Sequence, residues 1–270
     1  MRGLLFYDTE GAKRNEWFIG RLIESARELG HELTLVIHPT GTESAISSRP
    51  DFAIVRVISP SLNKRLESLG IPTFNNHETS RIANNKWLTY LFANELGIPV
   101  MKTEHPKSPS DITLPYPFVL KTVDGHGGSE VFYIENADKC KHVFALLQEK
   151  CLISQEMSSE PGVDMRVYTL GGKIIACAKR SSDNDFRSNF SLGGKAEISV
   201  HDRDISAVVE KVYHALGCDF VGVDFIRHNG RWILNEIEDV VGTRMLYSLT
   251  DIDAAKVYVK YIIDKLNHKA

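Results

Sequence analysis

The sequence predicts two mixed folds in one chain, an α/β unit over residues 1–84 and an α+β region with antiparallel sheets over residues 85–270. Three observations predict it. Short apolar runs alternate with helical stripes in the first part of the chain, the signature of a small parallel sheet with helices on its faces. Apolar runs flanking Gly171-Gly172 and His228-Asn229-Gly230 then read as hairpins. Composition is ordinary for a globular chain of 270 residues, with 43% hydrophobic and 25% charged residues, enough to bury a core without disulfides or metal.

The elements follow in order. Residues 4–7 are an apolar run suited to a buried strand. Phe18, Ile19, Leu22, Ile23, Ala26 and Leu29 recur at helical spacing, and Gly30 marks the stop. Residues 33–37, 52–57 and 71–74 are predicted strands, with a helix over 60–69. Asn84-Asn85-Lys86 then supplies an Asn cap for a helix carrying Leu88, Leu91, Phe92 and Leu96, stopped by Gly97. The domain boundary is placed near Asn84. Beyond it, strands are expected over 118–121, 131–134, 152–155, 165–170, 173–179, 220–226 and 231–238, and helices over 205–216 and 252–266.

Several function classes drop out early. The net charge is −3 and basic residues are not gathered in a block, so nothing in the charge argues for nucleic acid. Cys140, Cys151, Cys177 and Cys218 show no CxxC spacing, which points to reduced thiols rather than zinc or disulfides. The N-terminal apolar run is too short for a signal peptide, and no stretch approaches the roughly 20 apolar residues of a membrane span. A cytoplasmic protein without membrane contact is expected. There is no GxxxxGK[ST], no GxSxG, and no GxGxxG after the first strand, where the sequence reads DTEGAKRNE.

Three groups of residues carry chemistry. Glu236 and Glu238 are two apart in a strand, so their side chains leave one face. Asp224 lies in the partner strand. A two-residue Asn229-Gly230 turn would set Asp224 opposite Asn235 and turn it away from both glutamates. A three-residue His228-Asn229-Gly230 loop would restore a shared face, and that odd-length loop is the expectation. Three carboxylates on one face repel unless cations neutralise them, and oxygen ligands suit Mg²⁺. A solvated acidic face is the alternative, against which the apolar flanks FVGVDFI and WIL weigh. Second, Gly125-His126-Gly127-Gly128 follows a strand ending at Lys121. Glycines let backbone N–H groups approach phosphate oxygens, and Lys121 is a candidate partner for them. Third, Lys179, Arg180 and Arg187 lie in AKRSSDNDFRSN. Arg187 offers a planar fork to a phosphoryl group, with Asn189 as a polar ligand, while Lys179 and Arg180 also fit an ordinary solvated strand end.

With these residues in view, the chain resembles the RimK-type ATP-grasp carboxylate–amine ligases over nearly its whole length. NNK followed by LGIPV, PFVLK with GHGGSEV, ISQEM, GVDMRVYTLGGKIIACAKR with DFRSNFSLGG, GVDFIR and LNEIE are similar to that family's motifs in order. The resemblance implies an ATP-grasp fold over 85–270, its two α+β subdomains split near 155, behind a Rossmann-like pre-ATP-grasp domain over 1–84. It implies ATP and a pair of Mg²⁺ ions as cofactors, with Mn²⁺ as a substitute. Lys86, Lys121, Gly127 and Gly128 would then meet the phosphates. Gln155, Glu156 and Met157 would form the adenine hinge, and Asp164 would bind ribose. Arg187, Ser188 and Asn189 would lie near the transferred phosphoryl. Asp224, Glu236 and Glu238 would hold the metal, and Arg180 or Arg187 would stabilise an oxyanion. The family usually carries Asn where Glu238 stands, and Asp is common where Asn85 stands.

The activity so implied joins a small-molecule or peptide carboxylate to an amine through an acyl phosphate, releasing ADP and phosphate. Glutamate or another amino acid is the implied amine, and a homo-oligomer the implied assembly. An ester-forming ligase and a catalytically degenerate nucleotide-binding regulator are the alternatives. An acyl phosphate needs shelter from water, so residues 124–130 and 181–194 are expected to close over the site.

Overall fold

A computed structural model describes residues 1–128, 130–182, 186 and 195–268. The N-terminal sheet is parallel and contains β1 (Arg2–Tyr7), β2 (Glu32–Ile37), β3 (Phe52–Val55) and β4 (Thr73–Phe74) in the order β2-β1-β3-β4. β3 and β4 are shorter than the apolar runs suggest. The register of β3 with β1 runs through Val55, and only Ala53 and Ile54 have partners on β4. Between β1 and β2 run two helices, Thr9–Arg14 and Glu16–Glu28; the first is capped by Asp8, whose Oδ1 accepts from Gly11 N at 2.6 Å.

A second sheet is antiparallel, with β5 (Thr103–Glu104), β6 (Phe118–Thr122), β7 (Val131–Ile134) and β8 (Leu152–Glu156) in the order β5-β8-β6-β7. The third, also antiparallel, has β9 (Val163–Leu170), β10 (Lys173–Ser181), β11 (Lys195–Ile198), β12 (Phe220–His228) and β13 (Arg231–Glu238) in the order β11-β10-β9-β12-β13. β9 and β10 meet in a two-residue turn, Leu170 facing Lys173, with Gly171 and Gly172 at φ 56° and 78°. That left-handed pair is the twist a hairpin of right-twisted strands requires.

The two faces of the third sheet differ because side chains alternate along each strand. One face presents Met165, Val167, Cys177, Val223, Phe225 and Ile237 to the helix Arg203–Leu216. Asp202 caps that helix and Gly217, at φ 61°, ends it. The other face carries Asp164, Arg166, Arg180, Asp224, Glu236 and Glu238. At its margin Tyr168 and Phe220 join a core shared with the parallel sheet and the C-terminal helices Arg244–Leu249 and Ala254–Asn267. The last helix therefore packs back on Glu16–Glu28. No helix among the described residues is long and apolar enough to cross a membrane.

Candidate active site

The site is built on the register of β9, β10, β12 and β13. Ala178, Arg166, Asp224 and Glu236 lie in one row across the four strands, and Arg180 faces Asp164 in the next. The β12–β13 turn is the two-residue one: His228 faces Arg231, with Asn229 and Gly230 at φ 49° and 71°. This corrects the expected three-residue loop. The odd residue sits instead at Asn235, where a bulge between the Phe225–Leu234 and Asp224–Glu236 pairs shifts the register. Asp224, Glu236 and Glu238 consequently share a face, and each offers an oxygen within 4.8 Å of the others.

Arginines fill the space among these carboxylates. Arg166 Nε donates to Asp224 Oδ1 at 2.8 Å, and its Nη2 reaches Asp224 Oδ2 at 2.6 Å and Glu238 Oε1 at 2.5 Å. Arg180 is buried rather than a solvated strand end. It grips Asp164 through Nε and Nη2 and reaches Asp224 Oδ2 at 2.9 Å. Burial alone would raise the Asp224 carboxyl, but Arg166 and Arg180 outweigh it and hold it down to about 2. Glu238 goes the other way. Burial, aided by Asp224 and Glu236 and opposed by Arg166, pushes it up to about 7.

Lys86 and Lys121 approach from the second sheet's side. Asn85 caps the helix Lys86–Glu95 by accepting from Leu88 N, and the Lys86 backbone donates to Val123 O at 2.8 Å, fixing the helix start beside the end of β6. Lys86 Nζ stands 3.5 Å from Glu236 Oε2 and donates to the Gly125 carbonyl. Gly125 admits no side chain, since a Cβ there would lie 2.3 Å from Thr122 Oγ1. Lys121 is buried; its Nζ donates to Gln155 Oε1 at 3.0 Å and Asn235 Oδ1 at 3.4 Å, and burial lowers its pKa to about 8.

Two cavities meet here. One, of about 130 Å³, lies between the second and third sheets and is lined by Lys121, Gly127, Gly128, Gln155, Glu156, Met157 and Asp164. The other, of about 580 Å³, lies between the parallel sheet and the charged face and is lined by Arg56, Arg166, Tyr168, Arg180 and Glu238. Lys86, Gly125, Gly127 and Glu236 line both. Asp164 reaches the smaller cavity with both oxygens engaged by Arg180. Asp224 lies beneath, 2% exposed. Arg187, Ser188 and Asn189 lie outside the described residues, as do Ser129 and most of the segment 181–194.

Sequence reasoning passed over Arg166 and Asn235. The signal for Arg166 was present: Asp164 and Arg166 alternate with Met165 and Val167, the pattern of a strand whose one face is charged. A bulge has no comparable signature, because Asn235 is an unremarkable residue in an apolar run.

Comparison with known proteins shows what the chain is similar to. A "Probable alpha-L-glutamate ligase" of Methanococcoides burtonii is 26% identical over 273 residues, covering 90% of each chain. The "Glutamate--LysW ligase ArgX" of Sulfolobus acidocaldarius is 26% identical over 268 residues, covering 93% of this chain and 94% of its own. The D-alanine--D-alanine ligase of Bacillus anthracis, solved in complex with ATP, superposes with a TM-score of 0.76 at 16% identity and covers 100% of this chain and 98% of that one. Residues 84–262 match the RimK-like ATP-grasp domain, and the chain belongs to that ligase family.

Proposed function

We propose that the protein is an ATP-dependent carboxylate–amine ligase that forms an amide through an acyl phosphate, with an amino acid such as glutamate as the amine. The observation that carries this reading is the meeting of the two cavities at Lys86 and Glu236, beside the Gly125–Gly128 turn. A nucleotide in the smaller cavity and a carboxylate in the larger one would touch only there. The relatives named as glutamate ligases support the amine assignment.

The donor set fits a hard cation: Asp224, Glu236 and Glu238 offer only carboxylate oxygens, within one ion's reach of one another. Mg²⁺ bound there would neutralise phosphate charge. The chain's own residues do the positioning. Lys121 and the glycine turn face the phosphates, and the Glu156–Met157 segment supplies backbone to the base. Arg166 and Arg180 keep Asp224 ionised, so it has no proton to lose, and a cation there would share its two oxygens with these arginines.

In the first step a substrate carboxylate oxygen attacks the γ-phosphorus, the bond to the β-phosphate oxygen breaks, and ADP leaves. In the second the amine nitrogen attacks the acyl carbon, the carbon–oxygen bond to phosphate breaks, phosphate departs, and the ammonium proton is lost to solvent. No protein nucleophile is needed. The test incubates the protein with Mg-ATP, L-glutamate and pooled carboxylates, and follows ADP, phosphate and product mass. ADP release that requires both a carboxylate and an amine is expected. AMP and pyrophosphate, or a product cleaved by hydroxylamine as an ester, would overturn the reading.

A further inference from the structure

We propose that the crevice outside the C-terminal ends of β1 and β3 binds a substrate carboxylate that does not react, with Arg56 as its buried anchor. This rests on the ligase reading above and adds to it a specificity-determining residue. In the order β2-β1-β3-β4, the chain departs to opposite sides of β1, so the switch point lies between β1 and β3. Open parallel sheets bind ligands at such points, outside the carboxyl ends of the strands. Asp8, Gly11 and Arg14 follow β1, Arg56 to Ile58 follow β3, and all of them line the larger cavity.

Arg56 has the chemistry of an anion receptor. It is 6% exposed, and its partners are neutral: Nη2 donates to Val241 O at 2.8 Å, Nε donates to Tyr7 Oη at 3.3 Å, and the guanidinium lies 5.3 Å from the Phe18 ring centroid. Asp239 is near enough to feel its charge, but Asp239 is engaged by Asn75, Asn84 and Ser80. Among the described residues Arg56 forms no ion pair with a carboxylate and its Nη1 has no hydrogen-bond partner, on a side chain that lines the cavity. A buried guanidinium whose hydrogen-bond partners are all neutral, and which feels Asp239 only across space, keeps an N–H edge that a bound carboxylate would engage through its two oxygens.

Two more arginines stand at the rim. Arg14 ends the helix Thr9–Arg14 and Arg244 opens the helix Arg244–Leu249; both are exposed, line the cavity, and make no hydrogen bond or ion pair among the described residues. Arg56 lines only the larger cavity, whereas Lys86 and Glu236 line both. A carboxylate on Arg56 is thereby held away from the nucleotide side, where it would escape phosphorylation. The group belongs either to the amine substrate or to an acyl donor with a second acid, and the experiment separates the two.

Full-length protein with Mg²⁺ and ADP is titrated calorimetrically with L-glutamate and, separately, with glutarate, which lacks the amine. Wild type is expected to bind at least one probe. Arg56→Lys keeps the charge but loses the fork, and should weaken that probe by about tenfold or more while ADP binding stays within about twofold. Arg14→Ala and Arg244→Ala, exposed and without fold contacts to lose, should each weaken it by roughly twofold to fivefold. Loss confined to L-glutamate assigns the carboxylate to the amine substrate; loss for both probes assigns it to the donor. Unchanged affinity in Arg56→Lys, or in both rim variants should Arg56→Lys not fold, overturns the proposal. Failure of wild type to bind either probe while ADP binds also overturns it. Failure of ADP itself to bind would instead count against the ligase reading.

Discussion

Arg166 lays its fork on Asp224, Nε at 2.8 Å from one oxygen and Nη2 at 2.6 Å from the other, and the same Asp224 accepts from Arg180. The carboxylate at the centre of the candidate metal set is thus also the counter-ion of two buried arginines. Removing its charge leaves both under-compensated. Asp224→Asn is expected to cost roughly 3 kcal/mol, because Asp164 and Glu238 still face the arginines. Calorimetry should show the melting temperature falling by roughly 6–12 °C. A variant that melts with wild type would mean that the arginines find other partners.

Glu236 behaves differently. Its side chain is 25% exposed and its charged neighbour is Lys86 at 3.5 Å. Glu236→Gln keeps the shape and should change stability by less than about 1 kcal/mol. It removes an anionic oxygen at the junction of the two cavities, so ATP turnover should fall by about a hundredfold or more. Melting and ADP release measured on one preparation test the pair of expectations; normal turnover at ordinary Mg²⁺ would remove Glu236 from the site.

Glu238, at the position where the resemblance to the family implies Asn, takes part of Arg166. Glu238→Asn retains an oxygen ligand and leaves Asp224 to hold the arginine. Turnover within about tenfold of wild type, at a somewhat higher Mg²⁺ requirement, is expected. A Mg²⁺ titration of ADP release decides it; loss of folded protein would assign Glu238 a packing role instead.

Most strands and long helices were legible because their apolar periods are unambiguous: 131–134 and 231–238 match the observed strands at both ends. Short helices such as His77–Ala83 and Thr42–Ser47 were not, since six or seven residues hold too little of a helical period. The carboxylate trio was legible as residues but not as geometry. Strand alternation puts Glu236 with Glu238, yet the side of Asp224 depends on Asn235, and a bulge is decided by packing among sheets rather than by local composition. Arg180 shows the same limit. In sequence it sits beside Lys179 and ahead of a polar stretch, like a solvated strand end, and only the pairing of β10 with β9 puts it on Asp164.

Lys121 carries the clearest pH signature. Burial lowers its pKa from 10.5 to about 8, opposed by Glu236 and assisted by Lys86. Between those values the unfolded chain holds a proton that the folded chain has released. Stability attributable to Lys121 therefore rises as pH increases from about 8 to 10.5, and the cost of burying the ammonium is complete below about 8. The shift corresponds to roughly 3 kcal/mol at most. Lys121→Met keeps the apolar stem and discards the charge, while leaving Gln155 Oε1 without its donor. The variant should be more stable than wild type by roughly 1–2 kcal/mol at pH 7, with that advantage shrinking as pH approaches 10.5. Its affinity for ADP and ATP should fall by about tenfold, since the ammonium no longer meets the phosphates. Melting curves at pH 7 and pH 10, with nucleotide titrations at pH 7, separate the two effects: a Met variant less stable at pH 7 would show that the ammonium is stabilised where it lies, and unchanged nucleotide affinity would remove Lys121 from the phosphate site.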